Sequence, residues 1–128
     1  MDFKDEKDYI MRVIKEMARI LFSLMLGKQY TSVELPNENQ YEVSGKKIKD
    51  LLLMADNGEI NDVENMILNN IDYSNRDDVI AAALFYEHLS EKEDEFLLQN
   101  NYSKEEVLAG MKQLIENAGY VNLIHILD

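Results

Sequence analysis

Apolar residues recur along most of this chain at the three-to-four-residue spacing of an amphipathic helix, and the pattern breaks where helices would end. The spacing predicts helices over about 5–26, 45–56, 60–71, 76–89, 91–100 and 104–118. In the first, successive residues turn by about 100°. Ile10, Val13, Ile14, Met17, Ala18, Ile20, Leu21, Leu24 and Met25 then share a sector of roughly 160°, an ordinary core-facing stripe. Arg12, Lys15 and Arg19 lie opposite, and Phe22 and Leu26 fall on that same basic side. Two large apolar groups there call for a cover: the apolar C-terminal tail, a second copy or protein partner, or lipid. The segment 79–89 is apolar nearly all round and is expected to be the central, most buried helix.

The punctuation agrees with this helical reading. Gly27 and Gly119 stand where helix C-caps are expected, and Asn57-Gly58 is a tight turn between two short helices within Leu51–Asp72. Ser103 with Glu106 forms a capping box. Asn61 with Glu64, Asn75 with Asp78 and Ser90 with Glu93 read as N-caps followed by an acid that suits the helix dipole. Thr31–Val43, with Pro36, reads as a loop with no partner strand. Gly45-Lys46-Lys47 reads as a helix start after Ser44. The expected organisation is one all-α domain over 1–128, in four parts: an N-terminal amphipathic helix (1–28), a loop (29–44), stacked antiparallel helical hairpins (45–119) and an apolar tail (120–128).

The Asn57-Gly58 hairpin resembles a tetratricopeptide-type unit, with small Ala55 before the turn; that repeat's tryptophan-leucine-glycine start is absent and no 34-residue period recurs. Three blocks in order, Asp8–Leu21, LLLMADNGEINDVENMIL, and EHLSEKEDEFLLQNNYSKEEVLAGMKQL, resemble a family of short bacterial proteins known only as a domain of unknown function. That resemblance implies an all-helical, repeat-like fold and carries over no catalytic residue or ligand.

Charge narrows the classes of function. With 25 acids against 13 bases the net charge is −12, a field that repels phosphate backbones and argues against nucleic-acid binding. The imbalance sits after residue 28: residues 1–28 carry six bases and five acids, and residues 29–128 carry seven and twenty. There is no cysteine, so disulfides and zinc-thiolate sites are excluded. The apolar runs, Ile20–Leu26 among them, are far short of the roughly 20 residues of a membrane span. The start MDFKDEKDY has no signal-peptide pattern, so the expected location is the cytoplasm.

Catalytic signals are weak. Leu53–Glu64 mimics the second half of an EF-hand loop, but Leu53 and Ala55 stand where oxygen ligands belong. An Asn-Gly turn before a capped helix explains the same letters. The acid runs, such as Glu91–Glu95 and Glu105-Glu106, sit in helix first turns and are expected to be solvated. His88 reads as a partly buried, hydrogen-bonded residue of the central helix, and His125 as a core-edge residue in the tail. Neither lies in a metal-binding pattern. No catalytic residue, cofactor or metal site is assigned.

The first expectation is a non-catalytic interaction module that binds a protein or peptide, or itself, through helix surfaces. Phe22 and Leu26 would anchor the partner and Lys15 and Arg19 would flank it. The acidic body would select a basic or neutral partner. Two alternatives stand beside it. One is a small-ligand or metal-binding protein, or an enzyme, with an inter-helical pocket whose polar groups include Tyr86 and His88. The other, less favoured, is peripheral membrane association through the first helix.

Overall fold

The structure, a computed structural model, describes residues 3–27, 41–43 and 45–123. Most of the loop around Pro36, and the end of the tail (124–128) with His125, lie outside these residues. The fold is all-α, and the described residues form six helices in chain order and one two-stranded ribbon. The helices are α1 (Phe3–Leu26), α2 (Ile48–Asp56), α3 (Ile60–Asn70), α4 (Arg76–Ser90), α5 (Asp94–Gln99) and α6 (Lys104–Asn117). A further helical turn covers 121–123.

Helix α4 is the centre, as its all-round apolar pattern predicts. Every residue from Val79 to Glu87 is buried, as are Leu89 and Ser90. α1, α2 and α6 all pack on it, and α1 also packs on α6. The cap at its start is the expected one: Asn75 Oδ1 accepts from the backbone N–H of Asp77 and Asp78 at 2.9 and 3.2 Å. Ser103 likewise caps α6, its Oγ accepting from the Glu106 N–H at 3.1 Å.

Other boundaries move, each for a local reason. A partner strand does exist for the end of the loop: β1 (Glu42–Val43) pairs antiparallel with β2 (Lys46–Lys47). Gly45, at φ +81°, supplies the left-handed position of the bend, and the Ile48 N–H donates to the Tyr41 carbonyl at 2.9 Å. The residues read as a helix start at 45–47 are therefore ribbon, and α2 begins at Ile48. α3 starts at Ile60, as the spacing predicts, so Glu59 rather than Asn61 occupies the N-cap position. Asn61 instead donates to the Asn100 and Asn101 carbonyls at 3.2 and 3.3 Å, tying α3 to the end of α5. Ser90 is the last residue of α4 rather than a cap, and its hydroxyl donates back to the Glu87 carbonyl at 2.6 Å.

In α1 the buried stripe is Ile10, Ile14, Met17, Ala18, Leu21 and Phe22. It is rotated by roughly 50° toward the basic side compared with the expected sector. Phe22 is fully covered within this single chain (0% exposed), whereas Leu24, expected to face the core, is 56% exposed. α1 has to meet both α4 and α6, and the wheel alone does not say where the centre of that double contact lies.

The rotation gives an opposed pair of expectations. Phe22→Ala should cost about 3–5 kcal/mol, because it leaves a cavity in the core. Leu24→Ala should stay within about 0.5 kcal/mol. Urea unfolding of the two variants checks this; equal costs would place the stripe where the wheel put it.

Candidate functional site

Three consecutive polar residues near the end of α4 leave the core in three directions, because each is turned about 100° from the last. Tyr86 reaches α3, where its hydroxyl donates to Glu64 Oε2 at 2.7 Å. Glu87 reaches α1 and accepts from Lys15 Nζ at 2.8 Å. His88 reaches α2, with its Nε2 at 2.7 Å from Asp56 Oδ1.

The last two of these ties serve packing. Glu87 is 5% exposed, and burial pushes its carboxyl up, against the pull of Lys15. Lys15 also pairs with Glu91. Burial alone would lower the Lys15 ammonium, but these two carboxylates hold it above its ordinary value. Asp56 also takes Lys92, at 2.5 Å. Burial works against its ionised form, but Lys92 and His88 together hold the carboxyl below the usual range.

The first tie opens onto a cavity of about 340 Å³ between α3, α4 and α6. Glu64 and Leu68 come from α3, Tyr73 from the turn before α4, and Tyr86 from α4. Tyr102 precedes α6, which contributes Glu106, Ala109, Gly110, Gln113 and Leu114. The Tyr102 hydroxyl donates to the same Glu64 oxygen at 2.9 Å, so two phenols fix one carboxylate. Burial pushes both phenols far up, and the charge of Glu64 adds to it, so both stay neutral donors.

Gly110 makes the arrangement possible. A Cβ at this mid-helix position would sit inside van der Waals contact of the Tyr86 ring carbons and hydroxyl. The glycine lets the ring lie against the α6 backbone while its hydroxyl reaches Glu64.

The residues assigned from sequence to a partner surface are placed otherwise. Phe22 is core and Leu26 is half-buried against it, so neither stands out as an anchor. Lys15 spans Glu87 and Glu91, and Arg19 pairs with Glu16 on its own helix. Of the pocket residues proposed from sequence, Tyr86 lines the cavity but His88 turns to Asp56 instead. Of the acid runs, Glu91 is exposed and pairs with Lys15, whereas Asp94 keeps one oxygen buried without a hydrogen-bond partner among the described residues.

Glu64, Tyr73, Tyr102 and Gly110 were not singled out as site residues. The one available signal was Gly110 itself, an isolated glycine inside a strong helical pattern, which marks close approach. Among the described residues, no three histidine or acidic side chains stand together as a metal site would require, and no helix is long and apolar enough to cross a membrane.

Fold and site together define an all-helical domain with a tyrosine-lined, carboxylate-bearing pocket between helices. The chain belongs to DUF6483, a family of unknown function, whose profile matches residues 4–119. No curated protein and no solved structure matches it.

Two outcomes follow from this geometry. An exposed mid-helix Gly→Ala change ordinarily gains about 0.5–1 kcal/mol. Gly110→Ala should instead lose about 1–3 kcal/mol and alter the near-ultraviolet tyrosine signal, because the Tyr86 ring must move. A stabilised variant would show that the contact is slack.

The second outcome concerns alkaline pH. With folded-state phenols raised above the ordinary 10.0, the Tyr86 and Tyr102 bonds contribute fully below that pH and are lost as pH rises beyond it. In an alkaline titration, two of the seven tyrosines should ionise only together with loss of helical circular dichroism. Ionisation of all seven before unfolding would contradict the buried pair.

Proposed function

We propose that this protein is a non-catalytic interaction module that binds a protein or peptide partner, and that a side chain of the partner enters the pocket between α3, α4 and α6. The observation that carries the reading is the pocket itself: about 340 Å³, walled by Tyr73, Tyr86 and Tyr102, with exposed Leu68 at its edge. Tyrosine is favoured at recognition surfaces because it gives a large contact area at little entropic cost and keeps a polar handle. A volume of this order accommodates one side chain or a small molecule.

A non-catalytic role is supported by how the polar groups are engaged. Tyr86 and Tyr102 stay protonated, and Glu64 is committed to hydrogen bonds from both of them. The net charge of −12 favours a basic or neutral partner. A tetratricopeptide-like, cytoplasmic setting belongs to the same proposal and rests on the α2–α3 hairpin about Asn57-Gly58 and on the sequence pattern. The α1 surface is the weaker candidate, since Lys15, Arg19 and Phe22 are engaged within the chain.

The test is selection from a displayed random-peptide library on wild-type protein. Selected peptides should lose at least tenfold in affinity to Ala109→Trp, which fills the pocket from an exposed position of α6, and should be indifferent to Leu24→Asp on α1. Unfolding curves would establish that both variants are folded. Peptides sensitive to Leu24→Asp and blind to Ala109→Trp would move the site to α1, and an empty selection would refute peptide recognition.

A further inference from the structure

The pocket's charge is one-sided. Its lining holds two carboxylates, Glu64 and Glu106, and no lysine, arginine or histidine. The three remaining titratable groups are tyrosines, and Tyr86 and Tyr102 stay neutral as donors to Glu64. This differs from the other carboxylates that α4 draws in, where Lys15 meets Glu87, and Lys92 meets Asp56. Glu64 is the half-buried carboxylate whose only partners are neutral hydroxyls among the described residues.

Each class of ligand can be weighed against that lining. An anion would be repelled by two carboxylates. A neutral apolar group would strip water from Glu64 and return nothing to it, which is costly. A divalent metal ion wants six or more oxygens, and one oxygen of Glu64 is already taken by two phenol protons. An organic cation satisfies all the constraints. Its charge pairs with Glu64, and its alkyl stem packs on Leu68 and Leu114. Aromatic rings attract such a cation through their quadrupoles, most strongly where water is excluded. The two phenol bonds hold the carboxylate in place beforehand, so little ordering cost falls on binding. The net charge of −12 adds long-range attraction for the same sign of ligand.

We propose that the α3/α4/α6 pocket is a binding site for an alkylammonium group of the lysine side-chain type, with Glu64 as counter-ion, Tyr73, Tyr86 and Tyr102 as the surrounding wall, and Glu106 as a second acid at the site. The inference rests on the pocket being the recognition site and adds the chemistry of what enters it.

The experiment is an amide-resolved NMR titration of the full chain with three probes: n-butylammonium, its neutral counterpart butan-1-ol, and the peptide Gly-Gly-Lys-Gly-Gly. n-Butylammonium should shift the amides of Gly110, Tyr86 and Glu64 saturably. Butan-1-ol should bind at least tenfold more weakly. Glu64→Gln retains an acceptor for the tyrosines, so it should leave the unfolding midpoint near that of wild type while cutting ammonium affinity at least tenfold. If that variant unfolds, Glu106→Gln supplies the same charge test from an exposed position and should weaken binding severalfold. Equal binding of the alcohol, or binding that ignores both substitutions, overturns the ammonium assignment.

The arms also separate this inference from the peptide reading. Ammonium that binds while the lysine peptide does not supports the site chemistry and removes the peptide partner. Displayed peptides without a lysine that still need the open pocket uphold the partner reading and overturn the ammonium assignment. No perturbation of pocket amides by any probe counts against both.

Discussion

Burying α4 on nearly every side is the constraint from which the rest of this structure follows. A helix with no solvent face has to be enclosed by other elements, and α1, α2 and α6 pack directly on it, with the β1 strand alongside. The small residues Ala81, Ala82 and Ala83 let those neighbours come close to its backbone. The wide buried face of α1, which reaches as far as Phe22, is what that enclosure requires of the longest helix.

Enclosure also fixes where polar groups go. A polar residue on a buried helix must find its partner on whichever neighbour it faces. Tyr86, Glu87 and His88 therefore act as three separate ties, to α3, α1 and α2. Their energies differ in kind. The Lys15–Glu87 pair takes the Glu87 charge almost fully out of water, so its net contribution is modest, but loss of Lys15 strands Glu87. The Asp56 ties are more exposed and more weakly stabilising. Such ties fix how the helices sit around α4 more than they add stability.

These relations explain which features were legible in the sequence. The Asn57-Gly58 turn, the Asn75 and Ser103 caps and the apolar run of α4 are local signals, and each appears where expected. The ribbon at 42–47 was missed because two-residue strands carry no periodicity, and two lysines followed by an apolar run also look like a helix start. Asn61 and Ser90 have cap-forming side chains, but tertiary partners and the continuation of α4 took precedence over their local preference. The pocket was illegible for a deeper reason. Glu64, Tyr86 and Tyr102 lie 22 and 16 residues apart and share no face of any one helix, so only the packing of α3, α4 and α6 brings them together.

Glu87 and Glu64 bracket what this fold can do with a carboxylate. Both are reached through α4, yet their surroundings differ. Glu87 is almost fully enclosed and carries its counter-ion with it in Lys15, so its charge is answered inside the chain. Glu64 is half-buried, bound by two neutral phenols, and opens on a cavity walled by aromatic rings. Phenol donors orient a carboxylate and stabilise it without neutralising it. The negative field therefore persists into the cavity, where lowered dielectric strengthens it. If Glu64 only joined helices, a lysine in place of either tyrosine would answer its charge, as at the other ties of α4. Two tyrosines, with a glycine at position 110 to admit one of them, hold the carboxylate in place with no cation paired to it among the described residues.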